Sequence, residues 1–214
     1  MTNLREALTE YTASRPLPPG KLSFEEFLNW CDEDTWAEWV NGEVIILTPA
    51  SFSHQIIFCF LDRVMGIFAR HNQLGVVLTA PFMVRLPEHL RRGREPDIIF
   101  VRQEQLPRFK QTYFDGSPDV IVEIVSPESC IRDREIKYGE YEAAGVREYW
   151  LIDPDHRQAD FFHLGADGRY HPETPDKEGV FHSAAFSGFR LKPDWLWQDP
   201  LPSEIAVLRE MGVL

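Results

Sequence analysis

The apolar positions of this chain change their spacing several times, and each change marks an element. Ser23 followed by Glu26 forms an S-x-x-E capping box, and Phe24, Phe27 and Leu28 then recur at helical spacing, which predicts a short helix over about 24–31. The run WAEWVNGEVIIL reads as two strand-like segments joined by Asn41-Gly42, a dipeptide that accepts positive φ, and predicts a β-hairpin. From Ser53 onward Ile56, Ile57, Phe60, Leu61, Val64, Ile67 and Phe68 fall on one helical face, with Asp62, Arg63 and Arg70 off it. That pattern predicts a long helix ending near His71-Asn72.

The next segments switch to strand-like runs. LGVVLTAPFMVRLP reads as one or two strands and PDIIFV, 96–101, as another. DVIVEIV is apolar on both faces, which predicts a central strand, and Ser126-Pro127 ends it. Asp133 to Ala144 reads as a helix closed by Gly145. EYWLIDP is a further buried strand, turned by DPDHR into a partner, QADFFHL. YHPETPDKEG reads as a loop, SGFRLKPDWLW as a short strand and turn, and PSEIAVLREMGVL as a terminal helix. The order describes an α/β domain with a mixed sheet flanked by helices. Its expected organisation is an N-terminal arm over 1–21, the domain over 22–200 and a short C-terminal helix over 201–214.

Composition narrows the function classes. A chain of 214 residues with 43% hydrophobic content can bury one substantial core. A net charge of −12 opposes an indiscriminate coat for DNA or RNA, although a locally basic groove is compatible with it. The basic cluster RLPEHLRRGREPD, with Arg85, Arg91, Arg92 and Arg94, reads on its own as a solvated loop. Cys31, Cys59 and Cys130 are odd in number and show no CxxC spacing, so they are expected to be buried or half-buried thiols. No apolar run approaches the roughly 20 residues of a membrane helix, and the N-terminus lacks a secretory h-region. A cytoplasmic protein with no membrane partner is the expectation.

The candidate chemistry starts at Glu123. In PDVIVEIVSPES, Val120, Val122 and Ile124 share one face of the strand, while Ile121, Glu123 and Val125 share the other. An ionised carboxylate among apolar neighbours costs several kcal/mol unless a cation or metal pairs with it. Asp97 stands at the head of PDIIFV, and Lys137 sits on the helix after the Glu123 strand. If the two strands are neighbours, Asp97 and Glu123 can share a hard divalent cation. The bland alternatives are a buried ion pair of Glu123 with Lys137, Arg132 or Arg134, and a turn-capping role for Asp97. Tyr138, Tyr141, Tyr149 and Trp150 could stack on bases but read better as core, and Asp153 as a turn cap. His156, His163, His171 and His182 fall at irregular spacings that do not suit a zinc set.

Six segments in order, WAEWVNGEVIIL, His54 opening the long helix, EPDIIFV, PDVIVEIVSPES, DREIKYGEYEAAGV and REYWLIDP, resemble the Uma-two family of restriction-endonuclease-like proteins. That family lies within the PD-(D/E)XK nuclease superfamily. The resemblance implies a restriction-endonuclease-like mixed β-sheet core flanked by helices, with an N-terminal hairpin and extra C-terminal strands. It also implies metal-dependent hydrolysis of nucleic-acid phosphodiesters, with Asp97, Glu123 and the carbonyl of Ile124 holding Mg²⁺ or Mn²⁺. The position two residues after Glu123 is Val125 rather than the motif lysine, so Lys137 is the implied counterpart. His54 and Glu38 are further catalytic candidates, whereas Glu43, beside the turn, reads as solvated. The implied partner is nucleic acid, DNA by expectation, and a homodimer built on exposed Trp195 and Trp197 is left open. The alternative is a non-catalytic binding or regulatory module on a nuclease fold, which Val125 and the acidic charge favour.

Overall fold

The computed structural model describes residues 17–32, 35–127 and 129–214. The first 16 residues of the expected arm lie outside them. Helix α1 (Phe24–Trp30) starts at the reciprocal capping box of Ser23 and Glu26. Strands β1 (Ala37–Val40) and β2 (Glu43–Ile46) form the predicted hairpin, with Asn41 and Gly42 at φ 52° and 92°. Helix α2 (Phe52–His71) follows, capped by the Ser51 side chain. LGVVLTAPFMVRLP resolves into two strands, β3 (Gly75–Thr79) and β4 (Met83–Arg85). Then come β5 (Arg92–Arg94), β6 (Ile98–Arg102), β7 (Tyr113–Asp115) and β8 (Val120–Ile124). After α3 (Tyr138–Ala144), the chain makes β9 (Glu148–Asp153), β10 (Gln158–Leu164), β11 (Tyr170–Glu173), β12 (Phe181–His182) and β13 (Arg190–Leu191), and ends in α4 (Glu204–Glu210).

A six-stranded mixed sheet runs β11-β10-β9-β8-β6-β3, so the strand carrying Glu123 is central, as its two-sided apolar pattern requires. β8 pairs parallel with β9 and antiparallel with β6. One face, through Ile98, Phe100, Val122, Ile124 and Trp150, packs on α2 and on the C-terminal aromatics Phe181, Phe186 and Phe189. The other, through Ile99, Ile121, Val125 and Tyr149, packs on α3. A second, five-stranded sheet runs β2-β1-β5-β4-β7 and holds its own small core of Phe24, Phe27, Ala37, Trp39 and Met83.

Several expectations need correction. The buried stripe of α2 is rotated from the expected one: Ile56 and Ile67 are exposed, and Met65 and Ala69 are buried in their place. At 20 residues α2 is also long and apolar enough to cross a membrane, contrary to the length argument; here its Ile57, Phe60, Leu61 and Val64 lie in the core. The basic cluster is not a solvated loop but contains β5, because Gly93 lets Phe24 and Met83 approach so closely that a Cβ would meet their atoms at 2.8 and 3.0 Å. The segment read as a loop holds β11, which pairs with β10 and buries Tyr170. Trp195 is buried in the main core, so it is not an exposed contact, and α4 joins that core through Val207 and Leu208. Tyr141, Tyr149 and Trp150 are core residues, as expected.

Candidate active site

Ile98 of β6 lies opposite Val122 of β8, so one step further along the antiparallel register Asp97 comes opposite Glu123. Glu123 turns to the α3 side, where it meets Lys137 and Tyr141, while Asp97, which directly precedes β6, reaches the β8 backbone and His54 of α2. Asp97 Oδ2 accepts the Ile124 backbone N–H at 2.6 Å and lies 3.2 Å from His54 Nε2. An extended residue sends its N–H and C=O out of the same strand edge, which turns the Ile124 carbonyl toward Asp97 as well. His54 is placed by its position in the first turn of α2, where its backbone N–H donates to the Ser51 cap at 3.2 Å.

Glu123 Oε1 accepts from Lys137 Nζ at 2.7 Å and from Tyr141 Oη at 2.8 Å. Lys137 comes from residues Arg132–Lys137, which wind as a π-helical segment running straight into α3. Such wide turns recur at functional sites, and no periodicity rule detects them. Val125, where the motif lysine would stand, is buried in the apolar cluster under α3. The Lys137 ammonium also lies 3.1 Å from Glu38 Oε1 and 3.5 Å from Asp133 Oδ1.

Glu38, completely buried, is delivered by the hairpin: Ala37 and Trp39 face the small core, which sends Glu38 the other way. Its Oε2 accepts from Arg94 Nη1 at 2.7 Å, and Arg94 Nη2 reaches Glu140 Oε2 on α3 at 2.6 Å. Arg92 also pairs with Glu140. The supposed surface arginines thus bolt the small sheet to α3. Arg134 pairs with Asp153 and Asp160 at 2.9 Å each, away from Glu123. Asp153 also caps its turn by accepting the His156 N–H at 3.0 Å. Glu43 is exposed beside Lys21, as expected for a residue next to the turn.

The charges respond to this packing. Burial pushes Lys137 down, but Glu123, Glu38 and Asp133 outweigh it and hold the ammonium above its ordinary value. Burial pushes Glu38 up, and Lys137, Arg94 and Arg132 overcome that to hold it at about 2. For Glu123 burial prevails over Lys137, with Asp133, Asp97 and Glu38 adding to it, and the carboxyl rises to about 8. Glu95 likewise rises to about 8, through burial and then Glu38.

These groups border one cavity of about 650 Å³, lined by His54, Glu95, Asp97, Glu123, Ile124, Arg132, Asp133, Asp155 and Lys137 together with Ser51, Ser53, Ser126 and Ser129. Among the described residues five buried side-chain atoms have no hydrogen-bond partner, and four of them, His54 Nδ1, Glu95 Oε2, Arg132 Nε and Asp133 Oδ1, belong to residues of this cavity. Buried polar atoms are ordinarily satisfied, and atoms lining a polar cavity can be satisfied by water or by a ligand. Glu95 and Asp133 were not singled out from the sequence; the available signals were the adjacency of Glu95 to Pro96-Asp97 and the helical spacing of Asp133 from Lys137. Among the described residues no three His, Cys, Asp or Glu side chains converge into a ready-made metal cage. Two carboxylates and a backbone carbonyl nevertheless suit Mg²⁺, which keeps several waters and uses few protein ligands.

The mixed sheets flanked by helices define an α/β fold of the restriction-endonuclease-like class. The family model Uma2, described as "Putative restriction endonuclease", matches residues 24–194, and the chain belongs to that family. The fold is similar to the crystal structure titled as a "putative nuclease belonging to DUF820" from Anabaena variabilis ATCC 29413. The two are 19% identical with a TM-score of 0.69 over 82% of this chain and 97% of that one. No curated protein matches the chain.

Proposed function

We propose that this protein is a metal-dependent endonuclease that hydrolyses phosphodiester bonds of nucleic acid, DNA by preference. The observation that carries the reading is that Asp97, bonded to the backbone N–H of Ile124, and the neighbouring Glu123 line one cavity that Lys137 and His54 also line. Membership of the Uma2 family supports it. Asp97 and Glu123, with the Ile124 carbonyl, are the groups that would hold the ion. When bound there, Mg²⁺ or Mn²⁺ would lower the pKa of a water and offset charge on the phosphate.

The chain's own groups do the rest. Lys137 holds Glu123 in place and brings positive charge to the edge of the cavity. His54, held through Nε2 by Asp97, lines the cavity beside the carboxylates and is the chain's group for accepting a proton from the attacking water. Glu38 fixes Lys137 from behind. In an assay with Mg²⁺ or Mn²⁺ over DNA and RNA, the wild-type protein should cleave, and Asp97→Asn and Glu123→Gln should each lower the rate at least about a hundredfold, in the range of losing a principal electrostatic group. Cleavage at wild-type rate by either variant would refute these assignments.

One observation favours a second reading, a non-catalytic nuclease-fold binding module. Lys137 is already paired with both Glu123 and Glu38 without any ion. A protein of that kind would bind nucleic acid yet leave it intact, and its stability would not respond to Mn²⁺.

A further inference from the structure

The cavity has an electrostatic problem that the metal alone does not solve. Five carboxylates line it against two permanent cations, Lys137 and Arg132. Lys137 is buried and occupied by three carboxylates, at 2.7, 3.1 and 3.5 Å. His54 is engaged with Asp97. Arg132 differs from both. Its Nε is buried, and among the described residues it has no hydrogen-bond partner and a single carboxylate contact, Asp133 Oδ1 at 3.6 Å, beyond hydrogen-bond range. Its side chain is about one-third exposed and lines the cavity.

We propose that Arg132 is the substrate-binding residue of this cavity, its guanidinium receiving a non-bridging phosphate oxygen of the nucleic-acid backbone. The proposal rests on the nuclease reading and deepens it by naming the group that captures the anion. Arginine suits the task because its planar fork can meet two phosphate oxygens at once while remaining charged. A donor without an acceptor, on a residue that sequence reasoning offered only as an ion-pair partner for Glu123, is accounted for by a ligand that brings the acceptor. The location agrees: Arg132 opens the π-helical segment that closes with Lys137, so one short stretch supplies both the cation that holds Glu123 and the cation that meets the substrate.

The test is fluorescence anisotropy of a labelled DNA duplex and a labelled single strand, with Ca²⁺ in place of Mg²⁺, at several salt concentrations. The proteins are wild type, Arg132→Ala, Arg132→Lys and, as a control for the loss of one positive charge, Arg70→Ala at the far end of α2. The expected result is an affinity loss of about tenfold for Arg132→Ala, a salt-dependence slope lower by about one, and partial recovery in Arg132→Lys. Arg70→Ala should match wild type. Thermal unfolding and Mn²⁺ binding of the Arg132 variants should also match wild type, which separates substrate capture from a structural role. Equal affinity and slope in Arg132→Ala, or an equal loss in Arg70→Ala, would overturn the proposal. If wild type itself binds no DNA, the nuclease reading is what fails, and calorimetry with inorganic phosphate then decides Arg132. Phosphate binding lost only in the Arg132 variants would keep the anion site, and binding that is absent or unchanged would end it.

Discussion

Glu123 posed the question of how a carboxylate survives in an apolar strand, and the answer is specific contacts on one of its oxygens. Lys137 and Tyr141 both donate to Oε1, and Lys137 in turn is shared with Glu38. Removing one partner of a buried ion pair leaves the other charged and unsolvated, which typically costs about 3–5 kcal/mol. Above about pH 8, where Glu123 is ionised, Lys137→Met should therefore lower unfolding stability in urea by about that amount, and adding Glu123→Gln to it should restore part of the loss by removing that charge. A single variant with an unchanged urea midpoint would mean that the ammonium contributes nothing to holding these carboxylates. The sequence displayed the need for a partner at Glu123 and offered the right one among three. It did not display Arg94 as a buried cation, because an arginine in a run of arginines carries no signal of which one turns inward.

At the scale of elements, what was legible followed from periodicity and turn chemistry. The capping box of α1, the Asn41-Gly42 hairpin, α2 and the central position of β8 all follow from local pattern. What was illegible depended on distant packing. Strand β5, Arg-Gly-Arg, has no apolar residue, and it is a strand because β1 and β4 flank it while Phe24 lies over Gly93. The π-helical segment shifts Lys137 relative to an α-helical register, so the aim of its side chain is not given by counting along the sequence. The α2 stripe was misplaced by about one position because Ile56 and Ile67 are apolar yet outward, while Ala69 is small yet inward. The candidate site was legible as three residues on two strands and a helix. Its walls, Glu95, Arg132 and Asp133, come together only when the small sheet and the π segment close around them.

For the whole molecule, the buried carboxyls set a pH dependence with a definite sign. Glu95 and Glu123 are raised from 4.5 to about 8 in the folded, metal-free protein, so between those values the folded state binds more protons than the unfolded one. Stability contributed by these groups is present at and below the lower value and falls as pH rises through the window. Glu38, lowered to about 2, acts oppositely, but its contribution is complete above 4.5 and is lost only in more acid solution. Thermal unfolding of the metal-free protein should accordingly show a midpoint that declines from about pH 5 to about pH 8, and Glu95→Gln should flatten that decline. A midpoint that rises over the window in wild type, or an undiminished decline in the variant, would contradict the assignment of Glu95 as a buried, proton-holding group.

The central claim is that Asp97 and Glu123 hold one divalent ion between them. Crystals grown with Mn²⁺ and measured at the manganese absorption edge test it directly. The account predicts a single anomalous peak within ligand distance of both carboxylates and of the Ile124 carbonyl, absent from crystals of Asp97→Asn. A saturated crystal with no peak there, or a peak that survives the substitution, would contradict it.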